Sequence, residues 1–219
     1  SEYIWRGFTL DGDPVIQPGI YVSGPAGSWG KLTAKFWTSQ DIGTRDSRLS
    51  DEYDYILDYT YDFEKFSVSA GHTYYDFPDA VGADGAPKAF SREFYAGLSL
   101  PKVILTPSVF VYRDYGDQSD GGGLGNYFVL NLAHSIPVDI KGYACSLDLS
   151  GHYGYNHKLF IRGNGSDSGV GAGFTVPMTK SMTLTPSVNY SVPLGDLEDE
   201  NDGAQEARFF SGVTLKYTF

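Results

Sequence analysis

The stretch EYDYILDYTYDF, Glu52 to Phe63, decides the reading of this chain. Tyr53, Tyr55, Leu57, Tyr59, Tyr61 and Phe63 fall on one parity, and Glu52, Asp54, Ile56, Asp58, Thr60 and Asp62 on the other. Only a β-strand sends alternate side chains to opposite faces, so this alternation predicts a strand between two very different surroundings. A helix would scatter the same carboxylates around its circumference.

The pattern recurs outward from this stretch. In 146–156, Leu147, Leu149, Tyr153 and Tyr155 oppose Ser146, Asp148, Ser150, His152 and Asn156. In 182–192, Leu184, Val188, Tyr190 and Val192 oppose Thr183, Thr185, Ser187, Asn189 and Ser191. The segment 208–219 repeats it. Twelve segments are predicted: 2–10, 15–23, 31–39, 52–63, 66–76, 93–100, 103–113, 127–136, 144–156, 169–176, 182–192 and 208–219. From the third onward their connections alternate between short and long, so one end of the fold carries turns and the other loops.

Charge follows that division. The stretches 11–14, 40–52, 76–93, 113–125, 156–168 and 194–206 hold 20 acidic and 7 basic side chains, net −13, against +2 for everything else. Lys31, Lys65, Lys102, Lys141 and Lys180 lie at or beside the short turns, where they would meet phospholipid head groups.

Composition agrees with an all-β chain. Of 219 residues, 17 are Tyr and 27 are Gly, residues favoured in strands and in turns or bulges. No apolar run is long enough for a transmembrane helix, but a spanning strand needs only about 9–11 residues, half of them polar. The net charge of −11 argues against a nucleic-acid partner. The lone Cys145 has no internal disulfide partner. No linker divides the chain, which reads as one domain over 1–219, opening directly on a strand as a processed chain would.

A soluble barrel turns its apolar face inward. Here the polar face is small and wet, as in Ser67, Ser69, Gly71 and Thr73, while the other face carries Tyr, Leu and Val. An inverted barrel accounts for both faces: lipid outside, water inside, aromatic girdles at the interfaces. The expectation is a closed, antiparallel, twelve-stranded barrel in a Gram-negative outer membrane, with both termini periplasmic. A terminal strand ending on Phe219 reads as the signal recognised by outer-membrane assembly machinery.

The residues also resemble a family. The opening SEYIWRGFTLDGDPVIQPG, with Tyr3, Arg6, Gly7, Pro14, Gln17 and Gly19, resembles the start of the TorF-like porins. GHTYYDFP (Gly71–Pro78) and EFYAGLSL (Glu93–Leu100) are similar to later segments of that family. The resemblance implies a bacterial outer-membrane channel and supplies no catalytic or binding residues.

On the polar parity, Arg6, Lys35, Arg208 and Lys216 are expected to form one basic wall, because closure would make the last strand a neighbour of the first. Asp54, Asp58, Glu93, Asp114 and Asp148 form the opposing acidic wall. Two readings stay open: a transverse field that orients small dipolar or zwitterionic solutes, or pairing across the lumen that plugs it. The loop Asp196, Glu198, Asp199, Glu200 and Asp202 is a candidate weak divalent-cation site bridging to lipopolysaccharide, or a solvated charge run.

An enzyme is the competing class. His152 with Ser150, or His134 with Ser135, would serve a lipid-modifying hydrolase, but no nucleophile elbow or oxyanion motif accompanies either pair. The glycine runs at 121–125 and 163–173 join no strand to a helix, so no nucleotide is implied and no cofactor is expected. TPSV occurs at Thr106–Val109 and Thr185–Val188 and predicts a bulge or strand end at equivalent places in two hairpins; Pro18 is a third case. Strict alternation puts His72 outward into lipid, which predicts a bulge there.

Overall fold

A computed structural model describes residues 2–43, 51–81, 87–120, 122–199 and 205–219. The described residues form fourteen β-strands and one 3-10 turn, Gln118–Asp120. No helix among them is long and apolar enough to cross a membrane. The strands are β1 (Tyr3–Trp5), β2 (Phe8–Asp11), β3 (Val15–Ile16), β4 (Gly19–Pro25), β5 (Lys31–Asp41), β6 (Glu52–Asp62) and β7 (Ser67–Val81). They continue with β8 (Pro87–Ser99), β9 (Ser108–Asp114), β10 (Asn126–Ile140), β11 (Tyr143–His157), β12 (Asn164–Pro177), β13 (Met182–Gly195) and β14 (Arg208–Tyr217). From β4 to β14 every strand pairs antiparallel with the next in sequence.

The sheet has the two faces that the alternation predicts. On β6, Glu52, Asp54 and Asp58 are buried while Tyr55 and Leu57 are each 51% exposed. The same outward exposure holds for Leu98, Val109, Phe128, Tyr153, Val170, Val188 and Phe209. Apolar side chains outside and carboxylates inside invert the arrangement of a water-soluble sheet.

The sheet is strongly curled. Nine inter-strand steps separate β5 from β14, about 43 Å if the sheet were flat at ~4.8 Å per step. Yet consecutive residues of β1 and its lead-in touch both: the Tyr3 ring lies 5.7 Å from that of Trp37 on β5, and Glu2 lies 3.7 Å from Arg208 on β14. The wall therefore wraps around the N-terminal segment. No pairing between β4 and β14 closes it among the described residues.

Three expectations change. The predicted strand 2–10 does not join the wall as a twelfth strand. It breaks at Arg6 and Gly7, with φ of 50° and 81°, into the hairpin β1–β2, a separate two-stranded sheet inside the curl. Two central residues with positive φ make the two-residue turn whose twist matches a hairpin. The predicted strand 15–23 is interrupted at Gln17–Pro18, although β3 and β4 pair β5 in one register. Proline donates no ladder hydrogen bond, and the Pro18 carbonyl still accepts from Thr38 N–H at 3.0 Å. The two halves make one traverse, so among the described residues the wall has eleven traverses rather than twelve.

The TPSV prolines are not equivalent. Pro107 immediately precedes β9, after Leu105 and Thr106 with positive φ, so the predicted strand 103–113 starts five residues late. Pro186 lies inside β13, opposite a gap in the ladder to β12 between Gly173 and Val176. His72 sits outward without a bulge, in unbroken register between Leu57 and Phe94. Its Nε2 shares a 2.7 Å hydrogen bond with the Tyr115 hydroxyl, and the Phe94 ring lies 4.9 Å away. Several strands also outrun their predicted lengths at the loop end, β7 to Val81 and β12 from Asn164.

Candidate functional site

The hairpin β1–β2 occupies the loop end of the curl. Phe8 packs in a buried cluster with Ile161 and Leu197 of two long loops, with Trp5 and Leu10 against it. Gly7 lies against β12: a Cβ there would sit 2.7 Å from Leu197 and 2.8 Å from Asp167. Thr9 N–H donates to the Gln205 side chain at 2.7 Å, and the buried Tyr3 hydroxyl donates to Glu52 at 2.7 Å.

Arg6, at the tip of the turn, is the anchor. Its two Nη atoms donate to the two Glu93 carboxylate oxygens at 2.6 and 2.9 Å, in the two-pronged geometry that suits guanidinium and carboxylate. Its Cζ lies over the rings of Trp5, Tyr112 and Tyr127 at 4.4, 4.3 and 4.7 Å. Burial alone would lower the pKa of this guanidinium, but the Glu93 carboxylate outweighs it and holds the group above its ordinary value. Glu93 also accepts from the Tyr75 hydroxyl at 3.0 Å. Beyond Tyr127, whose hydroxyl donates to Asp167 at 2.9 Å, that carboxylate meets His152 Nε2 at 2.7 Å.

Against the hairpin, whose Tyr3, Trp5 and Arg6 help to line it, the wall borders an open chamber of about 890 Å³. Its lining includes Tyr21, Lys35, Trp37, Asp54, Asp58, Tyr75, Tyr95, Phe110, Tyr112, Asn131 and His152. Asp58 accepts from Tyr95 at 2.5 Å and from Thr60 at 3.1 Å. In the middle of β12 and β13 the inward positions are small: Gly169, Gly171 and Gly173 face the row Ser187, Asn189 and Ser191. The lumen aromatics gather on the other side, on β7 to β10.

The expected basic wall is not one cluster. Arg6 rides on the hairpin and reaches β8, Lys35 lines the chamber from β5, and Arg208 lies 3.7 Å from both Glu2 and Glu206. Lys216 is exposed near the far end of β14. The acidic residues also part company. Asp54 and Asp58 line the chamber, and Glu93 binds Arg6. Asp114 is spent on its own loop, accepting backbone N–H bonds from Gly116, Gly123 and Leu124 at 3.0, 3.0 and 3.1 Å and a short bond from Ser91. Asp148 accepts from Ser135, Ser146 and Thr175 at 2.6, 3.1 and 2.6 Å.

In the proposed cation loop, Asp196 accepts from Asn164 N–H at 2.7 Å, and Glu200 and Asp202 lie outside the described residues. No group of three or more metal-ligating side chains occurs among the described residues. His134 and Ser135 point to opposite faces of β10, which dissolves that catalytic pair; His152 is engaged by Asp167, not by Ser150. Phe219 is 88% exposed beyond β14, while Thr218 N–H still donates to Ser181 at 2.8 Å.

The lumen aromatics Tyr75, Tyr95, Tyr112 and Tyr127 depart from the expectation that aromatics face lipid. Parity identifies three of them: Tyr75 continues the row Ser67, Ser69, Gly71 and Thr73, Tyr95 lies two residues from Glu93, and Tyr112 lies two residues from Asp114.

Among solved structures, the chain is similar in architecture to a NanC porin, with a TM-score of 0.57 over 95% of this chain and 96% of that one, at 10% sequence identity. The fold is porin-like. No family model and no curated protein matches the chain.

Proposed function

We propose that the chain is an outer-membrane channel of the TorF-like porin kind, passing small hydrophilic solutes by passive diffusion through a lumen narrowed by its own N-terminal hairpin. One observation carries this reading: an antiparallel sheet, apolar outside and polar inside, curls around a chamber of about 890 Å³. In this reading the curled sheet is a closed barrel in lipid, because unpaired strand edges are not tolerated in hydrocarbon. β4 and β14 run in the same direction. Closure therefore needs either their parallel pairing or an element antiparallel to both.

The short turns with their lysines face the periplasm, the acidic loops face outward toward lipopolysaccharide, and assembly machinery inserts the barrel. Liposome swelling with sugars, amino acids and nucleosides tests the proposal: uptake of some of these, slower than through a general porin, is expected. Impermeability to all of them, in protein shown to be folded and inserted, would overturn it.

The second reading is a structural or adhesive barrel that passes nothing. The buried Arg6–Glu93 pair favours it, since a hairpin so anchored does not leave the lumen readily. A lipid-modifying activity is a third, tested by phospholipid turnover with Ser150 replaced.

A further inference from the structure

We propose that the chamber against the hairpin is a binding site for a small zwitterion, its ammonium held by Asp54 and its carboxylate by Lys35. The proposal rests on the channel reading and names a solute class for it. Asp54 is 8% exposed, and its Oδ1 finds no hydrogen-bond partner. A buried carboxylate oxygen left without a partner is costly, and a donor from a bound molecule removes that cost.

The other charged groups of the chamber are committed. Arg6 is paired with Glu93, Asp58 accepts from Tyr95 and Thr60, and His152 is bonded to Asp167. Glu52, next on the same face of β6, accepts from Tyr3. Lys35 and Asp54 both line the chamber, yet no ion pair joins them among the described residues. Asp54 is also hydrogen-bonded to Glu52, which two carboxyls do only by sharing a proton, so the pair brings one negative charge, and Lys35 one positive charge, to the same space.

Their placement suits a short dipole. Asp54 pairs with Trp37 across the strands, and Lys35 lies two residues from Trp37 on the same face. Such diagonal neighbours sit about 7–8 Å apart along the backbone. The ammonium and carboxylate of an α-amino acid are about 3 Å apart, and the long Lys35 side chain has the reach to meet a carboxylate whose ammonium rests on Asp54. Trp37, Tyr95 and Phe110 offer apolar faces to the carbon skeleton. A simple anion would meet Asp54, a simple cation would meet Lys35, and a neutral sugar would bury both charges unpaired.

Calorimetric titration of the whole protein in detergent tests this with three matched probes: L-norvaline, pentylamine and pentanoate. Norvaline is expected to bind about tenfold more tightly than either single-charge analogue, the scale of one charge-assisted hydrogen bond. Asp54→Asn and Lys35→Met are each expected to lose about that factor, and Glu64→Gln, in an exposed turn, to lose nothing. Heat-modifiable migration on a gel checks that each variant is folded; if one is not, the three-probe comparison on the unaltered protein still decides. Pentylamine or pentanoate binding as tightly as norvaline, norvaline binding that survives both substitutions, or no norvaline binding at all would overturn the proposal. Channel activity without norvaline binding removes the site and leaves the channel; norvaline binding without channel activity does the reverse.

Discussion

Arg6 is a charge placed where only a matched partner can hold it. Its side chain is 9% exposed and that of Glu93 1%. Removing one member of such a pair leaves the other buried and uncompensated, at a cost of about 3–5 kcal/mol. We therefore expect Arg6→Met and Glu93→Leu each to lower stability by about that amount, and the double variant to lose less than the two losses combined. Urea unfolding in detergent or lipid vesicles measures this; additive losses would show that the two side chains act separately. His72 offers a parallel test on the outer face. Tyr115→Phe removes its hydrogen-bond partner and is expected to cost about 1–3 kcal/mol, whereas adding His72→Phe returns most of it. At this scale the sequence was informative about which face a residue takes, through parity alone. It was silent on partners, because Arg6–Glu93 and Tyr3–Glu52 join residues 87 and 49 positions apart and depend on how far the sheet curls.

The hairpin β1–β2 is the element that departs furthest from expectation. Residues 2–10 read as one strand because Tyr, Ile, Trp and Phe favour strands, but Arg6–Gly7 supplies a two-residue turn that folds the segment on itself. Gly7 needs its positive φ and has no room for a side chain. Gly7→Ala is therefore expected to dislodge the hairpin and widen the path, raising single-channel conductance while leaving the wall folded. An unchanged conductance would mean that the hairpin does not limit flow. The wall strands were legible because one face of each is polar and the other apolar. Their ends were less so, since β7 and β8 extend past the stretch where the sequence alternates. Pro107 and Pro186 share a tetrapeptide but not a role: a strand start and a ladder gap are both places where a missing N–H does little harm.

For the whole molecule, the inverted two-faced sheet is the property on which everything else depends. It was readable in the sequence, and the likeness to a NanC porin at 10% identity shows that this architecture is set by pattern more than by particular residues. The number of traverses was not readable, because it turns on whether residues 2–10 line the wall or fill the lumen. If the sheet is a barrel in lipid, its hydrogen-bonded ring should survive detergent until boiled, so boiled and unboiled samples should migrate differently on a gel. Identical migration would weaken the barrel. The most direct measurement is single-channel conductance of the purified, heat-modifiable protein in a planar bilayer. The account predicts discrete steps smaller than those of general porins, rising when Gly7→Ala loosens the hairpin. Silence from both proteins, inserted and folded, would contradict it.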